Sequence, residues 1–157
     1  MRLKEEIKKE IISLQALYPE KRSALIPALH LAQEQEGYLP KELQQEVADL
    51  FGIALNEVHA VVTFYDMFFE EPKGKHLIHV CKNASCMLRG ADELLQSLCE
   101  RLNVEPGGTT EDGAFSVIPC ECLAACDRAP MMLVDEKVVG PVACKDIETL
   151  LCEAKDG

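Results

Sequence analysis

The sequence predicts an α+β chain: a helical bundle over residues 1–73, followed by a small α/β domain over 74–157 with the element order βαββα. Three observations predict it. Before residue 73 apolar residues recur at three- and four-residue intervals. After it, short β-branched runs alternate with amphipathic stretches. Between the two, Glu70-Glu71-Pro72-Lys73-Gly74 has the composition of a linker.

In the first part, Ile7, Ile11 and Leu14 share one helical face. Leu25, Leu29 and Ala32 form a second stripe between Arg22 and Glu36, where Pro27 either starts the helix late or kinks it. Gly37 and Pro40 end that helix and open the next, whose inward face is Leu43, Val47 and Leu50, and Gly52 stops it. Asn56 is placed to cap a further helix with Val58, Val61, Val62 and Tyr65 along one side.

In the second part, His76 to Val80 reads as a strand running directly into Cys81. Ala91 to Leu102 is an amphipathic helix with Leu94, Leu95, Leu98 and Leu102 inward, followed by a turn at Pro106-Gly107-Gly108. Phe115 to Ile118 is a second strand, ending at Pro119. Met131 to Val134 and Lys137 to Val139 form a hairpin through Asp135-Glu136, and Lys145 to Glu153 a closing helix. A parallel pairing of the first two strands brings the loops after them to one edge of the sheet.

Those two loops carry Cys81-(x4)-Cys86 and Cys122-(x3)-Cys126. Each pair reaches one metal atom from a single loop, and four thiolates are what a small iron-sulfur cluster takes from a protein. Zinc sites usually include a C-x2-C knuckle, because two intervening residues let both sulfurs meet one ion at about 2.3 Å. This chain has no C-x2-C, which also removes the thioredoxin-type redox dithiol. None of His30, His59, His76 and His79 lies in either cysteine loop, so the imidazole ligands of a Rieske centre are missing. The residues favour a [2Fe-2S] centre with Cys81 and Cys86 on one iron and Cys122 and Cys126 on the other. A zinc-bound or sensory-cluster module organising protein interactions stays open as the alternative. Backbone N–H groups of the loops, together with Arg89, are the expected donors to sulfur. An acidic surrounding predicts a potential nearer the roughly −400 mV of plant-type clusters than Rieske values.

The remaining cysteines have plainer expectations. Cys99, Cys144 and Cys152 read as small buried hydrophobes. Cys120, two residues before Cys122, reads as a buried spectator at a strand end, with a reserve-ligand role as the competing reading. His79 reads as a satisfied strand residue, and Thr63-Phe64-Tyr65 as either interior packing or a docking segment.

Charge excludes whole classes of partner. The chain carries a net charge of −11, split as −5 over residues 1–74 and −6 over 75–157. Nucleic acid and anionic lipid surfaces repel such a surface, since binding them rests on Lys and Arg neutralising phosphates. The charged start MRLKEEIKKE has no apolar core of a secretory signal, and no segment is apolar enough for membrane insertion. Eight cysteines are then expected to stay reduced in the cytoplasm, where metal ligation is favoured over disulfides. No G-x-G-x-x-G or G-x4-G-K-[ST] occurs, so a dinucleotide cradle of the chain's own is not expected.

Thr63-Phe64-Tyr65, Cys81-(x4)-Cys86 with Arg89-Gly90, and Cys122-Leu123-Ala124-Ala125-Cys126 with Ala129-Pro130-Met131 together resemble the thioredoxin-like [2Fe-2S] ferredoxin family. Its members include the E subunit of bacterial respiratory complex I, an NADH-quinone oxidoreductase, and the small subunits of NAD-linked hydrogenases and formate dehydrogenases. The resemblance covers nearly the whole chain. It implies a thioredoxin-like second domain with one [2Fe-2S] cluster held by Cys81, Cys86, Cys122 and Cys126. It also implies an electron-transfer role beside a partner flavoprotein that binds FMN and NADH, in a larger redox complex peripheral to the cytoplasmic side of the inner membrane. On that reading the chain oxidises no NADH alone. The family commonly has glycine where this chain has Ala124, which narrows the backbone freedom of the loop. Thioredoxin-like folds also imply a cis peptide bond at Ala129-Pro130.

Overall fold

The computed structural model describes residues 2–156, which fall into two compact units divided between Pro72 and Lys73. The first holds four helices: α1 (Glu5–Gln15), α2 (Leu25–Glu36), α3 (Lys41–Phe51) and α4 (Leu55–Phe64), with a short 3-10 turn at Lys21–Ala24 before α2. Ile11, Leu29, Leu43, Val47 and Val58 from the four helices are all fully buried in one core. Pro27 is the third residue of α2, where no intrahelical partner for its missing N–H is required, so the helix starts late and is not kinked by it. Gly37 and Gly52 end α2 and α3 at φ of 80° and 67°, a left-handed conformation that L side chains disfavour. Asn56 does not cap α4. The cap residue is Ala54, whose N–H donates to Glu57 Oε1 at 3.3 Å, and Asn56 lies inside the first turn. Two buried glutamines are satisfied within this unit: Gln44 Nε2 donates to Leu39 O at 2.8 Å and to Glu70 Oε1 at 3.1 Å, and Gln15 Nε2 donates to Leu50 O at 3.2 Å.

The second unit contains β1 (His76–Cys81), α5 (Ala84–Met87), α6 (Ala91–Leu102), β2 (Phe115–Cys120), β3 (Met132–Val134), β4 (Lys137–Val139) and α7 (Ile147–Asp156). The sheet order is β2-β1-β3-β4, with β1 and β2 parallel and the other neighbours antiparallel. The architecture is α+β, and the observed order βααβββα exceeds the expected βαββα by two elements: the four-residue helix α5 that follows Cys81, and a fourth strand, because each arm of the β3–β4 hairpin is a strand of its own. A parallel pair needs a crossover, and α6 provides it, burying Leu94, Leu95 and Leu98 against Ile78, Val80, Phe115 and Val117. Register pairs His76 with Phe115 and Cys81 with Cys120, so both strands end level.

Three expectations change. β2 passes through Pro119 and ends at Cys120, which an end strand of the sheet tolerates because proline forfeits only one donor there. The closing helix runs from Ile147 to Asp156, later than residues 145–153, after a 3-10 turn at Cys144–Asp146. Cys144 is half-exposed and Cys152 exposed, leaving Cys99 as the buried hydrophobe of the three. The Ala129-Pro130 bond is cis as expected, and Gly140-Pro141 is cis as well. Among the described residues no helix is long and apolar enough to cross a membrane.

Candidate metal centre

Because β1 and β2 are parallel and end level, their following loops leave the sheet from the same end. Lys82 N–H donates to Cys120 O at 3.0 Å, joining the two loops one residue beyond the strands. Cys81 is the last residue of β1, Cys86 lies on α5, and Cys126 opens a 3-10 turn at Cys126–Arg128. Asn83 sets α5 in place: it is the cap residue and its Oδ1 accepts from Ala84 N–H at 3.0 Å.

The sulfurs stand as two pairs. Cys122 Sγ lies 3.6 Å from Cys126 Sγ, and the Cys81 and Cys86 thiols are in hydrogen-bond contact. The pairs are close enough that Cys126 feels the charge of Cys81, and Cys86 that of Cys126. Cys81 and Cys86 are buried within a small cluster with Ala91, Ala129 and Met131, whereas Cys122 and Cys126 are exposed. Among the described residues no three His, Cys, Asp or Glu side chains converge to hold a single metal ion. Two thiols per pair, with the pairs within electrostatic reach of one another, suit a binuclear group, in which each iron takes two.

Donors converge on these sulfurs. The amide N–H groups of Asn83 and Leu123 donate to Cys81, that of Met131 to Cys86, and that of Ala124 to Cys122 at 3.4 Å. The Ser85 hydroxyl donates to Cys126. Burial alone raises the Cys81 pKa, but the two amides and the Cys86 thiol outweigh it and hold Cys81 below the usual thiol value. Burial raises Cys86, with Cys81 adding to the rise and the Met131 amide opposing it. The neighbouring Cys122 pushes Cys126 up. The inner pair thus shares its charge unequally, as crowded thiols do.

A sequence model of the thioredoxin-like [2Fe-2S] ferredoxin family matches residues 10–155. The chain belongs to that family. The E 2 subunit of the NADH-quinone oxidoreductase of Rhizobium meliloti is 40% identical over 92% of this chain and 86% of its own length. The NADP-reducing hydrogenase subunit HndA of Solidesulfovibrio fructosivorans is 38% identical over 96% of this chain and 88% of its own. Among solved structures, an NAD+-reducing [NiFe]-hydrogenase in its air-oxidised state superposes with a TM-score of 0.70 at 25% identity, covering 84% of this chain and 23% of that longer one.

Within this ferredoxin-family fold, Ala124 stands at φ 60°, the left-handed region that glycine occupies at little cost. Cys120, opposite Cys81 in register, is 9% exposed, and Cys99 is buried on α6's leucine face with its pKa raised by that burial. Arg89 is exposed. Of Thr63-Phe64-Tyr65, Tyr65 packs on the helical core while Phe64 is 78% exposed. The amides of Asn83, Leu123 and Ala124 are loop donors of the kind expected, whereas the Ser85 hydroxyl and the Met131 amide, which lies outside both loops, carry no sequence signal. The asparagine directly before Ala-Ser-Cys was a legible helix-cap signal for α5.

Proposed function

We propose that the chain is the electron-transfer subunit of an NADH-quinone oxidoreductase, holding one [2Fe-2S] cluster on Cys81, Cys86, Cys122 and Cys126 and taking one electron from the FMN of a partner flavoprotein that binds NADH. The observation that carries this reading is the pairing of four sulfurs at one end of a parallel strand pair, with the Cys122 and Cys126 sulfurs 3.6 Å apart. Kinship with the Rhizobium meliloti oxidoreductase protein supports the parent complex. A [2Fe-2S] cluster bound there supplies reversible one-electron exchange.

The chain's own residues do the rest. Burial of Cys81 and Cys86 keeps water from the inner pair, while exposed Cys122 and Cys126 leave the outer pair within reach of a redox partner. The amides of Asn83, Leu123, Ala124 and Met131 orient partial positive charge at sulfur, which offsets the cost of added negative charge in a chain of net charge −11. Such a subunit sits at the cytoplasmic face of the membrane through its partners. HndA and the hydrogenase structure favour a second reading, the equivalent subunit of a soluble NAD(P)-linked hydrogenase.

Anaerobic purification tests the site. A red-brown protein with two irons and two acid-labile sulfides per chain, and an EPR signal only after reduction, is the expected result. Cys122→Ser and Cys126→Ser abolish that spectrum; Cys120→Ser and Cys144→Ser leave it. A colourless protein with stoichiometric zinc sinks the assignment. Co-purification with a membrane-bound assembly, against a compact one with hydrogenase activity, separates the two parent complexes.

A further inference from the structure

The outer and inner cysteine pairs differ in their access to small reagents as well as to a redox partner. Cys122 and Cys126 are both exposed, with their sulfurs 3.6 Å apart in one short loop. Cys81 and Cys86 also interact but are only 2% and 1% exposed, and Cys120 is 9% exposed. A small disulfide reagent therefore reaches the outer sulfurs and not the inner ones.

We infer that in the chain without its cluster, Cys122 and Cys126 form a reversible disulfide that closes the site to iron until a dithiol reopens it. The oxidant is a low-molecular-weight disulfide of the glutathione class. A thiolate of the outer pair attacks one sulfur of that disulfide, forming a mixed disulfide and releasing one small thiol. The second outer sulfur then attacks the protein sulfur of the mixed disulfide and expels the second small thiol. Two protein thiols and one small disulfide become one protein disulfide and two small thiols, so two electrons and two protons leave the protein. Closing the bond brings the sulfurs from 3.6 Å to about 2.05 Å, a movement that χ1 rotation in an exposed loop supplies. With the outer pair joined, only the buried pair is left to hold iron. The same linkage protects both sulfurs from oxidation past the sulfenic stage, which is irreversible.

Closure of the site to iron rests on the four-cysteine reading above; formation of the disulfide does not, so the two fail separately. The test uses full-length cluster-free protein in a Cys144→Ser/Cys152→Ser background, which removes the other accessible thiols, incubated with oxidised glutathione. Expected are a Cys122–Cys126 linkage by peptide mapping, an intact mass lower by two hydrogens, and the loss of two alkylatable thiols. The added Cys122→Ser change should stop the reaction at a glutathione adduct on Cys126. The disulfide form should take up no iron from a scaffold protein loaded with [2Fe-2S], and a dithiol reductant should restore uptake. A linkage through Cys81, Cys86 or Cys120, stable adducts on both outer cysteines, or undiminished uptake by the disulfide form overturns the inference. If the reduced protein also takes up no iron, the iron-sulfur reading fails instead.

Discussion

Ala124 holds a left-handed backbone at φ 60° although it carries a Cβ. The crowding of Cβ against the following carbonyl costs about 1–2 kcal/mol, while exchanging alanine for glycine loosens the unfolded chain by about 0.4–1 kcal/mol. The first effect is the larger, so Ala124→Gly should stabilise the cluster-free protein by up to about 1.6 kcal/mol. Urea denaturation checks it, and a lowered midpoint rejects the strain argument. Substitution of glycine by alanine was visible in the sequence; its positive φ was not, because only the closed loop dictates it. Asp112 titrates in the opposite sense to a buried acid. The Thr110 hydroxyl, at 2.5 Å, and the Ala114 amide, at 2.9 Å, hold its carboxylate below the ordinary value. Because the folded pKa is depressed, the stability these bonds confer is complete above the unfolded value of about 3.9 and is lost as pH falls through the lower folded value. Asp112→Asn should flatten that part of the acid-unfolding curve, and an NMR titration midpoint at or above the unfolded value would contradict the assignment.

At the scale of elements, Gly140 is where two segments meet most tightly. A Cβ there falls 2.5 Å from Arg128 O and 2.8 Å from Met131 Cβ. Arg128 ends the turn opened by Cys126, and the Met131 amide donates to the Cys86 sulfur. Gly140→Ala should therefore destabilise the fold by about 1–3 kcal/mol and also lower iron retention. Thermal melting and iron content measured together check this; loss of stability with full iron occupancy would show that the contact is remote from the sulfurs. The helices of the first unit were legible because their apolar stripes repeat with the helical period and glycines end them. The four-residue α5 was not, since one turn shows no periodicity. Nor was the continuation of β2 past Pro119, where pairing with β1 overrides the local preference of proline.

Across the whole molecule, the buried apolar residues form separate clusters, one within the first unit and two within the second. Leu43 and Leu98, each fully buried, belong to different units. Leu43→Ala should cost about 2–5 kcal/mol in thermal stability yet leave the EPR line shape of the reduced protein unchanged. Leu98→Ala should lower stability and disturb the spectrum. An altered line shape in the Leu43 variant would show that the helical unit shapes the cluster's surroundings. Spacing alone picked out the two cysteine pairs as candidates. What spacing could not reveal was that one pair lies buried and the other open, which depends on packing around Ala91, Ala129 and Met131.

Asp135, at the hairpin turn, takes the Leu77 N–H on one carboxylate oxygen at 2.9 Å and pairs with His76 Nδ1 through the other at 3.0 Å. At the opposite end of the same pair of strands, Cys81 N–H donates to Met131 O at 3.3 Å. The segment that aims an amide at the Cys86 sulfur is thus pinned fore and aft, like a ruler clamped at each end. Its direction is decided partly by a carboxylate a full strand length away, far from the four cysteines.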